Sequence, residues 1–314
     1  MNPFSQPCFS TSKGICTFSL DCNKANDKPL HLLFGILKMQ IILKGEDIMD
    51  LLTIFENKLK TDEQATDEFA KKWDQRAERF YIAQQTGRKT LQEDVVALLK
   101  SKGIITDEST VLDIGAGVGR YTIPFAKEVK HVYGTDFSSK MIEYLNRVKE
   151  EEQITNLSTR KLAWPTEEKV EKVDVAFSAM CPCTRSIEAL KQMSKVAKNY
   201  GVLAQMTKMS DDVTDELINE GFVEIDPNDP HNNRDLAQGY FNILWELGFE
   251  PDINFVIDSY EAVLGKKEAI EFYNNRYKDV DETLIEGKIA KRLNNNQVII
   301  KRTTRLAVIS WSIK

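Results

Sequence analysis

The densest chemical information in this 314-residue chain lies in seven consecutive residues, Asp113-Ile114-Gly115-Ala116-Gly117-Val118-Gly119. Three glycines directly after a strand-like run let the backbone approach a ligand with no Cβ in the way. A helix starting just beyond them offers unpaired N–H groups. In an open α/β sheet, nucleotides bind at such a place. Spacing narrows the choice of nucleotide. A dinucleotide fingerprint needs glycine at position 120, where the chain has Arg120, and the Gly-Lys-Ser/Thr ending of a phosphate-binding loop is absent.

Other reactive side chains are scattered. Met180-Cys181-Pro182-Cys183 follows a strand-like run. Its two soft thiols could hold a metal or metalloid, or be small, partly buried packing residues. Two residues apart, they make a poor structural disulfide. His231 is a candidate general base or a solvated loop histidine beside Pro230. Asp229 reads as a helix cap rather than an acid. Asp226, Asp229 and His231 lack metal-ligand spacing, so no metal site is expected. An N-terminal helix adds Trp73, Arg76, Phe80 and Tyr81, the last a further catalytic candidate.

These residues need elements to position them. Apolar residues at helical spacing from Asp62 to Gln85 and at Leu91, Val95, Leu98 and Leu99 predict two helices, the second closed by Gly103. Strands are predicted at 110–114, 131–135, 156–162, 173–180 and 202–206. Between them lie helices at 120–129, from a Ser138 or Ser139 cap to 150, and from a Ser186 cap to Gly201. This alternation means βαβ units and a parallel sheet. Asp229-Pro230 is expected to open a helix ended by Gly248. Two last strands, 253–257 and 306–313, flank a charged helical stretch at 266–293 and predict an antiparallel pair.

The glycine motif DIGAGVGR, with VYGTDFSSKMIEYL (residues 132–145) and VDVAFSAM behind it, resembles class I S-adenosylmethionine-dependent methyltransferases, in particular those of the type 11 kind. The resemblance is good over residues 69–206. It implies a Rossmann-like α/β fold: a mostly parallel seven-stranded sheet with an antiparallel last strand and helices on both faces. It implies S-adenosyl-L-methionine as cofactor. Asp113 and the backbone of Gly115, Ala116, Gly117 and Gly119 would hold the methionine end, and Asp136 would accept from both ribose hydroxyls. Phe137 and Met141 would flank the adenine, and Ala179 would border the site. Asp136 as a helix N-cap is the competing reading. The acid that such enzymes often carry after the third strand is missing from Lys161-Leu162-Ala163-Trp164, so Trp164 would stack there or simply pack. MCPC does not match the Asn/Asp-Pro-Pro-aromatic motif of amino-directed relatives.

Composition sets outer limits. With 42% hydrophobic and 29% charged residues, the chain is neither disordered nor a disulfide-knotted mini-protein. A net charge of −6 disfavours a grip on nucleic acid, and no polybasic cluster is present to hold a membrane. Residues 1–48 differ from the rest. They hold Cys8, Cys16 and Cys22 and the apolar run Leu30 to Leu43, too short and too interrupted for a comfortable span. Lys44-Gly45-Glu46 back-translates to a purine-rich ribosome-binding site just ahead of Met49. The segment is therefore expected to be translated upstream sequence, with a membrane-associating leader as the rival. Residues 49–105 are expected to be N-terminal helices covering the site, and 106–314 the Rossmann-like domain, with a helical insertion at about 262–295 that covers the site or mediates a homodimer. The expected activity is cytoplasmic methyl transfer to a small molecule, with no nucleic acid or membrane partner. A non-catalytic cofactor sensor and a nicotinamide-dependent oxidoreductase are the alternatives.

Overall fold

The computed structural model describes residues 50–60, 66–224, 226 and 229–313; the expected leader lies outside the described residues. Strands β1 (Thr110–Ile114), β2 (His131–Asp136), β3 (Leu157–Lys161), β4 (Val173–Ala179) and β5 (Ala197–Asp211) run parallel in the order 3-2-1-4-5. β8 (Gln297–Ser312) pairs antiparallel with β5, and β6 (Asp252–Gly265) pairs antiparallel with β8 at the edge. A two-residue β7 (Leu293–Asn294) pairs with β8. This is the mostly parallel Rossmann-like sheet with an antiparallel last strand. β1 and β4 are apolar runs because helices bury both of their faces.

On one face, Val95 and Leu99 of α3 (Thr90–Ser101), Phe125 of α4 (Thr122–Ala126) and Leu145 of α5 (Ser139–Glu151) form a core with β1, β2 and β4. On the other, Leu59 of α1 (Leu51–Leu59), Leu190 and Met193 of α6 (Ile187–Val196) and Ile243 of α8 (Arg234–Glu246) pack on Leu203, Ile309 and Trp311. A third core joins the far halves of the long strands to α7 (Asp212–Asn219), α9 (Lys266–Arg276) and α10 (Glu282–Ala290), through Leu217, Tyr273, Ile285, Val298 and Ile300. The helical insertion thus builds a packed body on the ribbon of β5, β8 and β6. Of the three N-terminal helices, α2 (Asp67–Thr86) lies against α5, α1 packs on α8, and α3 is a layer of the first core. Among the described residues, no helix is long and apolar enough to cross a membrane.

Several sequence expectations move. Gly201 does not end a helix. α6 stops at Val196, β5 begins at the next residue, and Gly201 lies inside that strand, opposite Trp311. Glycine is needed there because a Cβ would enter the Trp311 ring. β5 is also far longer than 202–206, since β8 supplies partners out to Asp211. Asp229-Pro230 does not open α8. Asn233 caps that helix, accepting from Asp235 N at 2.9 Å, while Asp229 bonds His231 and Asn232. The helix expected at 120–129 is the shorter α4.

The Gly201–Trp311 pair gives a stability prediction. Trp311 is fixed by its Nε1 donating to Ser194 Oγ at 3.0 Å, so the ring cannot withdraw. Gly201→Ala is expected to lower unfolding stability by about 1–3 kcal/mol, the usual range for overpacking. Equilibrium urea unfolding of the two proteins measures it.

Candidate active site

β1 and β2 are adjacent parallel strands, so their C-terminal ends deliver two acids to one place. Asp113 is buried and accepts from Thr122 Oγ1 at 2.6 Å. Asp136 is buried too; its Oδ2 accepts from Gly117 N at 3.0 Å and its Oδ1 from Ser138 N at 2.8 Å. Between them the chain turns through Gly115, Gly117 and Gly119 at φ +72°, +55° and +97°, the left-handed region that glycine occupies without strain. A Cβ on Gly115 would collide with Cys181 Sγ. Gly119 lies below the turn, where a Cβ would meet Leu145. The N–H of Gly115 and of Ala116 both donate to Thr135 O, pinning the loop to β2.

These residues line a cleft of about 830 Å³, counting its open mouth. Of the cofactor residues expected from sequence, Asp113, Gly115, Ala116, Gly117, Asp136, Phe137, Met141 and Ala179 border it. Gly119 shapes the turn without bordering the cleft. Trp164 is elsewhere: it is buried in the second core, its Nε1 donating to Ala189 O at 3.3 Å, so it packs and does not stack on a ligand here. Asp136 does not cap α5. Ser138 does, its Oγ accepting from Met141 N at 3.1 Å.

The cleft is also bordered by Trp73 and Phe80 of α2, both expected from sequence, which pack beside Val118 and Met141, and by Gln92 of α3, Arg120, Met180 and Met206. α2 is tied down beside the cleft. Asp74 Oδ1 accepts from Ser138 Oγ at 2.5 Å and from Lys140 N at 3.0 Å, at the N-terminus of α5, where a carboxylate is favourable. Ser138 therefore links the carboxylate of Asp136 to the helix that walls the cleft.

The catalytic candidates separate. Cys181 borders the cleft, with its thiol pushed well up by a hydrogen bond to Cys183 and by burial, so it rests as a neutral thiol. Cys183 is half-buried against the second core. Among the described residues, no group of three or more His, Cys, Asp and Glu is placed to hold a metal ion. Tyr81 points away, donating to Glu151 at 2.7 Å and stacking on Tyr144, and that hydrogen bond raises its pKa. His231 stands on the loop before α8, its Nδ1 2.9 Å from Asp229 Oδ1, and does not border the cleft.

Burial pushes Asp113 up to about 7 against the pull of Thr122, with the charge of Asp136 adding to the rise. Burial likewise pushes Asp136 up to about 6 against its backbone hydrogen bonds. Two buried acids with raised values, beside a turn that exposes backbone, fit a ligand that brings hydroxyl donors and positive charge. A nucleoside sulfonium with an amino-acid tail has both.

Comparison with known proteins gives one family match and several remote likenesses. Residues 105–235 match the sequence family described as "Methyltransferase domain". An uncharacterized protein of Haemophilus influenzae is 23% identical over 230 residues, 69% of this chain and 80% of that protein. Magnesium protoporphyrin IX methyltransferase from Synechocystis PCC 6803, solved with bound SAH, is 15% identical, with a TM-score of 0.40 over 70% of this chain and 82% of that one. A precorrin 8w decarboxylase from Methanobacterium thermoautotrophicum is 13% identical, with a TM-score of 0.44 over 69% of this chain and 89% of that one.

The two acids predict a pH dependence. A cofactor held by these two acids would need their ionised, acceptor-only forms, so a proton held at low pH would first have to leave. Affinity for S-adenosylhomocysteine is expected to be flat above pH 8. It should fall as pH drops through about 7 and about 6, by about tenfold per unit for each acid protonated. Calorimetric titration from pH 8.5 to 5 checks this; an affinity that rises on acidification is the contrary result.

Proposed function

We propose that the chain, whose residues 105–235 match the methyltransferase-domain family, is a class I S-adenosylmethionine-dependent methyltransferase that methylates a small-molecule acceptor by in-line displacement. The observation that carries this reading is the cleft itself, which brings Asp113, the glycine turn and Asp136 together with the apolar side chains of Trp73, Phe80, Met180 and Met206. S-adenosylmethionine supplies a methyl group on a positively charged sulfur and departs as a neutral thioether. The protein's share is then to hold, orient and exclude water.

Asp136 orients the ribose by accepting from its two hydroxyls, and its own position is fixed by Gly117 N and Ser138 N. Asp113 faces the amino-acid end, with Arg120 and Gln92 beside it to receive a carboxylate. Phe137 and Met141 bracket the adenine. Trp73, Phe80, Met180, Pro182 and Met206 give the acceptor an apolar, water-poor wall. Among the described residues that border the cleft there is no histidine, and the Cys181 thiol is held neutral. An acceptor such as an amine free base, a thiolate or a stabilised carbanion needs no protein base at the moment of transfer, and that is the class this reading favours. The net charge of −6 supports a small acceptor over a nucleic acid, and the free thiols of Cys181 and Cys183, the cysteines among the described residues, fit a reducing cytoplasm. The exposed edge of β6 is the surface for a homodimer, if the chain pairs with itself.

Incubating the full chain with S-adenosylmethionine and fractions of a cell extract tests the reading. The low-molecular-mass fraction is expected to yield S-adenosylhomocysteine, and Asp136→Ala to abolish it. Product formed only with the protein or RNA fraction, or with none, contradicts it.

A further inference from the structure

Beyond the cofactor cleft, β5 carries on past its last partner on β4, Ala204, and enters a second space. Met206 borders the cleft, and Thr207, the next residue, borders a cavity of about 1480 Å³ that is open to solvent at its mouth. The pairing of β5 with β8 shifts register between Met206 and Lys208. An irregularity of this kind re-aims successive side chains, which lets one strand serve both spaces. The loop before α8 runs alongside, fixed by Gln205 Nε2 to Pro230 O at 2.9 Å and by Met209 N to Asn232 Oδ1 at 2.9 Å.

The charges in this cavity are uneven in their engagement. Its aspartates have partners: Asp215 takes Lys208 at 3.2 Å, and Asp229 takes His231 and Asn232. Arg305 is different. Its guanidinium lies 4.0 Å over the ring of Phe255, and its buried Nε makes no hydrogen bond. Arg305 as a whole is half-buried and borders the cavity, so the part of its guanidinium that can meet a ligand is the part other than this enclosed Nε. Arg276 lies over Tyr277 on the neighbouring wall of the same cavity. A planar guanidinium stacked on a ring presents its edge as a fork, the geometry that matches a carboxylate.

We propose that this cavity extends the acceptor site beyond the cleft and that Arg305, aided by Arg276, receives there a carboxylate of an acceptor whose reacting end lies in the cleft. The inference rests on the methyltransferase reading and names the chemical class of its acceptor. Arg305 anchors the acid, Phe255 and Tyr277 cover the apolar body, and the bulged segment of β5 leads from this anchor to the cleft.

The probe is 4-fluorobenzoate, followed by fluorine NMR with the full chain, first empty and then saturated with S-adenosylhomocysteine. Its neutral isostere 4-fluorobenzamide is the control. Fluorobenzoate is expected to broaden and shift while fluorobenzamide does not. Arg305→Gln should weaken binding at least tenfold and Arg276→Gln several-fold, with S-adenosylhomocysteine affinity unchanged in both. Fluorobenzoate that does not bind overturns the proposal, as does equal binding of the amide. Undiminished binding to Arg276→Gln also overturns it should Arg305→Gln not fold. A chain that binds fluorobenzoate but not S-adenosylhomocysteine refutes the methyltransferase reading, a separate failure.

Discussion

Two carboxylates buried side by side at the ends of adjacent strands are the constraint around which this molecule is arranged. Asp113 and Asp136 arrive together because β1 and β2 pair in parallel register, Asp113 opposite Gly134 and Ile114 opposite Thr135. Both have folded values above the ordinary 3.8. The sign follows: the native state holds these protons more tightly than the unfolded chain. Their contribution to the stability of the empty protein therefore declines as pH rises from 3.8 through about 6 and 7. At neutral pH the site is poised for a ligand that supplies donors and positive charge. The glycine turn lets such a ligand reach the backbone, and Thr122, Gly117 N and Ser138 N keep the two acids in place.

The rest of the fold extends that arrangement outward. Ser138 caps α5 and also donates to Asp74, so the helix bearing Trp73 and Phe80 is docked through the residue that steadies Asp136. Wall and floor of the cleft share one hydrogen-bonded chain. On the far side, the three long strands continue well past the parallel sheet and carry a helical body with its own core. Lys288 is buried there between Glu216 and Glu220, and Arg292 bonds Asp212 and Glu216. These charged contacts hold together the body whose Arg276 and Tyr277 line the same cavity as Arg305 and Phe255.

What was readable in the sequence was what is decided locally. The glycines, Asp113, Asp136 and the Ser138 and Ser186 caps act within a few residues of themselves, and their spacing announces them. The antiparallel last pair was also legible, from two apolar runs with an insertion between them. Tertiary partners decided the rest. Gly201 looks like a helix stop until Trp311 is seen filling its empty side. Asp229 looks like a cap until His231 and Asn232 occupy it. Trp164 follows the third strand as an adenine contact would, yet core packing and the Ala189 carbonyl take it. Arg120, Gln92, Met206 and Arg305 come from distant segments, and no periodicity or spacing links them before the chain folds.

That Asp136 receives the ribose of the cofactor is our proposal. Calorimetric titration of S-adenosylhomocysteine into the wild-type chain and into Asp136→Ala at pH 8, with thermal unfolding of both proteins in parallel, tests it most directly. The account predicts that the variant folds and loses at least tenfold in affinity, as expected where a charged acceptor of two hydrogen bonds is removed. An affinity equal to wild type, in a variant that unfolds at the same temperature, would contradict it.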